Sequence, residues 1–348
     1  MKSAKQDNKS HRLARNWLLA IGAIILLAIG MSWPTDYYID TPGDAVPISQ
    51  FVKSKDRVPN NFYLVTVSET SQPASVAELL QSYTDQYATR IHKSQLLGTT
   101  TNRQYQELQK WYMETSQQNA IYYAAKKAGI KAKLSYEGVY VMDVQKSSSF
   151  RGKLRMGDTV LGADGHKFHS TKEMTTYFRQ KSLNDKLKID VLRGSKKLTI
   201  AGKAVKVDGT GKPGIGIQLV ERVKVTTHPE LKIDAEDIGG PSAGLMFTLT
   251  SYQVFTKQNL AKGHKVAGTG TISADGKVGA IGGVDKKVVA ADEAGAEVFF
   301  APTDTAELKK QGSNYVVAKQ TAKQIGSKMK VVPVRSFEDA LNYLRNTY

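Results

Sequence analysis

An α+β architecture with one apolar N-terminal helix is predicted, and three stretches of the sequence carry that prediction. Residues 17–33 form a run without a single charge. Residues 138–200 break into short strand-like runs separated by tight turns, and residues 214–348 alternate strand-like with helical patterns. A chain of 348 residues can bury two modest cores, while an apolar fraction of 41% is too low for a multi-span membrane protein.

The uncharged run begins at Trp17, ends at Trp33 and holds only apolar or small residues between them. At the helical rise it just reaches across a bilayer, with a tryptophan for each interface. Lys2, Lys5, Lys9, Arg12 and Arg15 precede it against Asp7 alone. The positive-inside rule therefore predicts a cytoplasmic basic tail over 1–15, a transmembrane helix over 16–34, and everything after Pro34 outside the cell membrane. A cleaved signal peptide is the alternative, but Ala28-Ile29-Gly30 is a poor cleavage site because the apolar run continues through it.

Residues 35–60 read as an extracellular tether, since Pro42, Gly43 and Pro47 do not support a helix, and folded structure is expected from about Asn61. Over 61–130 a strand-like run (62–67) precedes a helical pattern, with Val76, Leu79, Leu80 and Tyr83 on one face and Gly129 closing the last helix. The segment 131–205 is the β-rich module, with turns at Asp164-Gly165 and Gly194. A single helix over 171–181 places Met174, Tyr177 and Phe178 together. In 206–348 strands are predicted over 215–225, 266–272, 298–301 and 330–334. Helices are predicted over 241–255, 284–294, 318–328 and 337–348.

No cysteine occurs, which removes disulfides, thiolate nucleophiles and cysteine-bound metals. The formal charge of +17 comes from lysines spread along the whole chain, without a dense basic cluster interleaved with aromatics, so no nucleic-acid partner is expected. A basic ectodomain beside anionic lipid and cell-wall polymer accounts for the charge.

Chemistry concentrates in two glycine-rich turns. Gly239-Gly240-Pro241-Ser242-Ala243-Gly244 leads into the apolar run Leu245 to Leu249. Small residues around one hydroxyl let a carbonyl approach, and Pro241 suits a first helical turn. Backbone groups from Gly240 to Ala243, the Ser242 and Ala243 amides among them, would then receive an oxyanion. The alternative is a helix cap with a packing serine. Gly282-Gly283-Val284-Asp285-Lys286-Lys287 supplies candidate bases. Lys287 shares its helical face with Val284, Val288, Ala291 and Ala294, whereas Lys286 shares its own with Glu293. Lys287 is therefore the lysine that can be desolvated. An amine at its ordinary pKa of about 10.4 is protonated at neutral pH, and burial lowers that value toward a working base. A lysine that snorkels to solvent is the alternative.

Gly240-Pro241-Ser242-Ala243-Gly244, Thr269-Gly270, Gly282-Gly283 and Lys287 together resemble the proteolytic domain of Lon proteases, family S16. The resemblance implies a Ser242/Lys287 dyad supported by a hydroxyl contact from Thr269 to Lys287. Thr271 stands where the family often has an acid. Gly138-Val139-Tyr140-Val141, Leu154-Arg155-Met156-Gly157-Asp158 and the Asp164-Gly165 turn resemble a bacterial PDZ domain. That likeness implies a peptide groove formed by Gly138, Val139 and Tyr140 and lined by the helix bearing Met174 and Phe178. Anchor, PDZ and Lon-like segments in this order resemble the secreted PDZ-Lon peptidases of the YlbL family, particularly its SepM type. This implies an endopeptidase for short extracellular peptides such as a signalling pheromone, and a strand over 62–67 that belongs to the protease body.

No Gly-x-x-x-x-Gly-Lys-Ser/Thr loop is present in this sequence, so neither a nucleotide cofactor nor an ATPase engine is expected, and folded proteins should be poor substrates. The expected partners are a peptide substrate and the cell membrane, with no metal or other cofactor. Two rivals remain. A Ser-His-Asp esterase would use the Gly-x-Ser-x-Gly pattern, but its late histidine could only be His264. A non-catalytic PDZ scaffold would need neither Ser242 nor Lys287.

Overall fold

The structure is a computed structural model that describes all residues except 1, 2, 99, 236, 237 and 304–311, with residues 3–14 described by backbone alone. The chain divides into two compact units, residues 1–43 with 67–99 and residues 44–66 with 100–348.

In the smaller unit a helix spans Ser3–Met31. Among the described residues no helix is long and apolar enough to cross a membrane. The side chains of Lys2, Lys5, Lys9 and Arg12 lie outside the described ones. From Trp17 onward the helix presents Leu18, Ile24, Leu26 and Leu27 to the outside, all exposed.

Residues 35–60 do not form a tether. Tyr37–Pro47 is a strand whose residues 37–40 pair antiparallel with Thr89–His92, and Ile39 packs on Ala74 and Ala88. Tyr37, Tyr38 and Ile39 are strand formers, and a proline removes only one donor, which a strand tolerates where no ladder bond needs it. In the larger unit Ile48 is fully buried, and Val52–Ser54 pairs with Leu231–Ile233. The helix Val76–Ser82 opens with a Ser75/Glu78 capping box. Leu80 and Tyr83, expected on its inner face, are exposed, because so short a helix covers little of its neighbours.

Beside short two-stranded pairings, the larger unit holds strands of two large sheets. One is parallel and runs Lys330–Val334, Val298–Pro302, Val266–Gly268 and then the strand Phe62–Glu69 through its residues 62–64. Against it packs Gly244–Thr256, a helix buried from Gly244 through Phe255. Its buried threonines are satisfied within the helix, Thr248 donating to the Gly244 carbonyl and Thr250 to that of Met246, so the helix can be enclosed on all sides. The long helix Asn102–Lys127 lies beside it, started by a Thr101/Gln104 capping box and ended at Ala128, just before left-handed Gly129.

The second sheet is antiparallel, in the order Ile217–Thr227, Ala132–Val144, Thr159–Ala163, Lys186–Arg193, Lys196–Lys203. Its core gathers Val139, Val141, Phe150, Val160, Met174, Phe178 and Ile189. Asp158, 1% exposed, is held by two 2.7 Å bonds from Arg193, which fixes the turn after Leu154. Ile217–Thr227 was expected in the final segment, yet it pairs along its whole length with Ala132–Val144. Local periodicity reports a strand but not its partner.

Candidate active site

Two turns meet at the C-terminal end of the Val266–Gly268 strand. The helix after the first turn starts at Gly244, not at Pro241, so Pro241, Ser242 and Ala243 precede it as a turn. The reason lies in how that turn is held. Gly240, at φ 84°, gives its amide to the carbonyl of Gln109 at 3.0 Å, and Ser116 Oγ donates to the carbonyl of Pro241 at 3.0 Å. The carbonyl of Ser242 accepts the Gly270 amide at 2.7 Å and Thr269 Oγ1 at 3.1 Å. Side-chain and loop partners replace the intrahelical bonds that would otherwise have extended the helix backward.

The second turn ends at Gly283, left-handed at φ 65°, which starts the helix Val284–Glu293. Val284, Val288 and Ala291 pack into the core, and Lys287 goes inward with them at 4% exposure. Its Nζ lies 3.1 Å from Ser242 Oγ and 2.6 Å from the carbonyl oxygen of Val65. Among the described residues no carboxylate lies within ion-pair distance of it. Burial lowers its pKa to about 8. A neutral amine can donate to Val65 and still offer its lone pair to the serine hydroxyl.

Lys286, expected on a solvent face, is also buried at 3%, with Nζ 3.1 Å from Asp285. Lys286 itself is covered by packing that a single helical wheel does not reveal, while Glu293 stays exposed. The two lysines thus differ in partner and not in burial.

Three further expectations change. The Thr269 hydroxyl contacts the Ser242 carbonyl, not Lys287. The Gly240 amide is committed to Gln109, which leaves the amides of Ser242 and Ala243 without an acceptor among the described residues. Gly138, Val139 and Tyr140 do not form an open groove: they lie inside Ala132–Val144, between Ile217–Thr227 and Thr159–Ala163. A Cβ on Gly138 would stand 2.4 Å from the carbonyl of Val160, so this glycine serves close strand approach. Met174 and Phe178 are 1% and 3% exposed core residues. Their helix was correctly an amphipathic one, but its apolar face points into the module.

His264 contacts Glu297 at 2.7 Å and stacks on Tyr348. The residues missed from sequence are Val65, through its carbonyl, and Gln109, Ser116 and Asn119 on the long helix. Asn119 Nδ2 donates to the carbonyl of Ile272 at 3.1 Å. The same helix grips the antiparallel sheet, with Glu114 bound twice by Arg222, at 2.8 and 3.0 Å, and Gln118 accepting the Val225 amide at 2.7 Å. Scattered polar residues on a helix carry no local signal of such contacts.

A buried amine lies beside a serine hydroxyl, and the amides next to it have no acceptor among the described residues. Residues 127–203 match the PDZ domain family, and residues 177–344 match the Lon protease (S16) C-terminal proteolytic domain. The chain therefore matches a PDZ domain and a Lon-type proteolytic domain of family S16, consistent with a PDZ-Lon peptidase. It is 29% identical over 186 residues to the Lon protease of Metamycoplasma arthritidis, covering 53% of this chain and 20% of that one. It is 32% identical over 114 residues to the Lon protease of Trichlorobacter lovleyi, covering 33% and 13%. The alignments thus span a fifth or less of those relatives' own length. Among solved structures, the PDZ domain of an SdrC-like protein from Listeria monocytogenes is 38% identical, with TM-score 0.24, covering 25% of this chain and 93% of its own. The corresponding domain from Listeria innocua is 34% identical, with TM-score 0.23, covering 24% and 96%.

Proposed function

We propose that this chain is a serine endopeptidase that cleaves short or unstructured peptides, with Ser242 as nucleophile and Lys287 as general base. The 3.1 Å approach of a carboxylate-free, buried Nζ to Ser242 Oγ carries this reading. Lys287 takes the hydroxyl proton as Oγ attacks the substrate carbonyl, and the amides of Ser242 and Ala243 receive the oxyanion. Collapse of the tetrahedral intermediate breaks the C–N bond, and the protonated amine gives its proton to the leaving nitrogen. Water, deprotonated by the same amine, then attacks the acyl-serine and frees the enzyme.

The PDZ module assists capture of substrate, including secreted signalling peptides. Ile217–Thr227 forms one edge of its sheet, and ahead of the helix contacts at Arg222 and Val225 an extended peptide can add along residues 217–221 as a further strand. Catalysis runs without ATP, since the sequence has no phosphate-cradling loop. Digests of unstructured peptides by residues 35–348, followed by mass spectrometry, should proceed unchanged with ATP omitted or chelator added. Peptide binding to the Ser242→Ala form should persist. Cleavage that requires ATP or a metal contradicts the proposal.

The N-terminal helix holds the enzyme at the outer face of the cell membrane, a reading supported by the uncharged run from Trp17 to Trp33 and its exposed apolar side chains. After alkaline carbonate washing of membranes the full chain should stay in the pellet. Release into the supernatant would rule the anchor out.

A further inference from the structure

We infer that Ser116 and Thr269 are positioning residues that aim the two free amides beside Ser242 at the oxyanion; the inference rests on the Ser242/Lys287 reading above. In a trans peptide the carbonyl and the following N–H point in opposite directions across one rigid plane. The only cis peptide among the described residues is His228-Pro229, so both planes around Ser242 are trans.

The first plane joins Pro241 to Ser242. Its carbonyl is drawn toward the long helix by Ser116 Oγ, at 3.0 Å, so the Ser242 amide faces away from that helix. The second plane joins Ser242 to Ala243. Its carbonyl is drawn by the Gly270 amide and Thr269 Oγ1, so the Ala243 amide faces away from that strand end. Two consecutive carbonyls pinned inward leave two consecutive amides turned outward, the arrangement that stabilises a tetrahedral oxyanion.

Ser116 is 3% exposed and its single hydroxyl proton is committed to Pro241. The helix that carries it is itself fixed against the same loop by the carbonyl of Gln109, and against Ile272 by Asn119. Gly244 makes the approach possible: a Cβ there would stand 2.7 Å from Ser116 Oγ and 2.7 Å from the Ile272 amide nitrogen. Without the Ser116 hydroxyl, the Pro241 carbonyl keeps only the Gly244 amide at 3.3 Å, a bond from within the same turn that does not tie it to the long helix, so the plane can tilt and take the Ser242 amide with it.

Steady-state peptide cleavage by Ser116→Ala and by the near-isosteric Thr269→Val tests the inference. Each substitution should lower kcat by about tenfold to a hundredfold, since each misaims one oxyanion donor without removing it. KM, the pH midpoint of activity and the affinity of the same peptide on a Ser242→Ala background should not change. The melting temperature reports whether Ser116→Ala folds, and Thr269→Val carries the test alone if it does not. Wild-type kcat in either folded variant, or a loss confined to KM, overturns the inference. Undiminished activity in Ser242→Ala would instead remove the reading on which it rests.

Discussion

Replacing Lys287 by arginine should lower kcat by on the order of a thousandfold or more while leaving the protein folded. Arginine keeps a positive charge but does not deprotonate in a protein, so it cannot accept the proton of Ser242. General-base contributions run to about 10²–10⁴-fold, and residues that act as a unit with the nucleophile cost the most. Lys287→Met makes the complementary case, since it removes both the charge and the base and should be equally inactive. A PDZ scaffold without catalytic chemistry would tolerate both changes in its binding of peptide, and peptide affinity should indeed survive them. Progress curves for wild type and the two variants, at matched folded concentration, provide the comparison. Near-normal turnover in either would be incompatible with a lysine base.

Activity should rise with pH through a single limb with its midpoint at about 8, where burial places the Lys287 amine. Below that value the amine carries the proton and cannot take another. The stability consequence has a definite sign. The folded amine releases its proton at about 8, while the unfolded one holds it to about 10.4. Between these values the unfolded chain binds more protons, so the stability contributed by this group is lowest below about pH 8 and grows as pH rises toward 10.4. Measured as the difference between wild type and Lys287→Met, which cancels the other titrations, the gain across that window should be on the order of 3 kcal/mol. Urea unfolding of both proteins at pH 7 and pH 10 gives the number. A difference that does not vary with pH would mean that Lys287 titrates normally.

What the sequence made legible was whatever short-range pattern controls. The inward turn of Lys287 followed from Val284, Val288 and Ala291 on its helical face, and the structure buries it there. The strand over 330–334 and the helix closing the chain were readable from period alone. The helix Asn314–Gln324 starts four residues before the predicted 318, because Ser313 begins it and its first turn holds Tyr315, Val316 and Val317, aromatic and β-branched residues that read as strand formers. Residues 35–60 were misread because two prolines and a glycine outweighed Tyr38 and Ile39, whose partners lie on strands far along the chain. Gly138 was taken for a binding loop because a glycine at positive φ serves an open turn and a tight strand contact alike, and only the position of the Val160 carbonyl decides between them.

The site was legible as two turns, not as a cradle. Ser242 and Lys287 stood out because glycines flank them, whereas Ser116, Gln109 and Asn119 sit in a helix among other polar residues and declare nothing locally. Thr269 was singled out for the right turn and the wrong partner. A hydroxyl at that position reaches either the amine or the serine carbonyl, and here the Gly270 amide and the Thr269 hydroxyl meet on the one carbonyl oxygen.

The most direct measurement is covalent labelling of residues 35–348 with a fluorophosphonate, followed by peptide mapping. Ser242 Oγ should displace fluoride from phosphorus, with Lys287 taking up the proton, so the adduct should sit on Ser242 in the wild type and form far more slowly in Lys287→Arg. An adduct on another residue, or labelling of Ser242 at the wild-type rate without Lys287, would contradict the pairing of this serine with this amine.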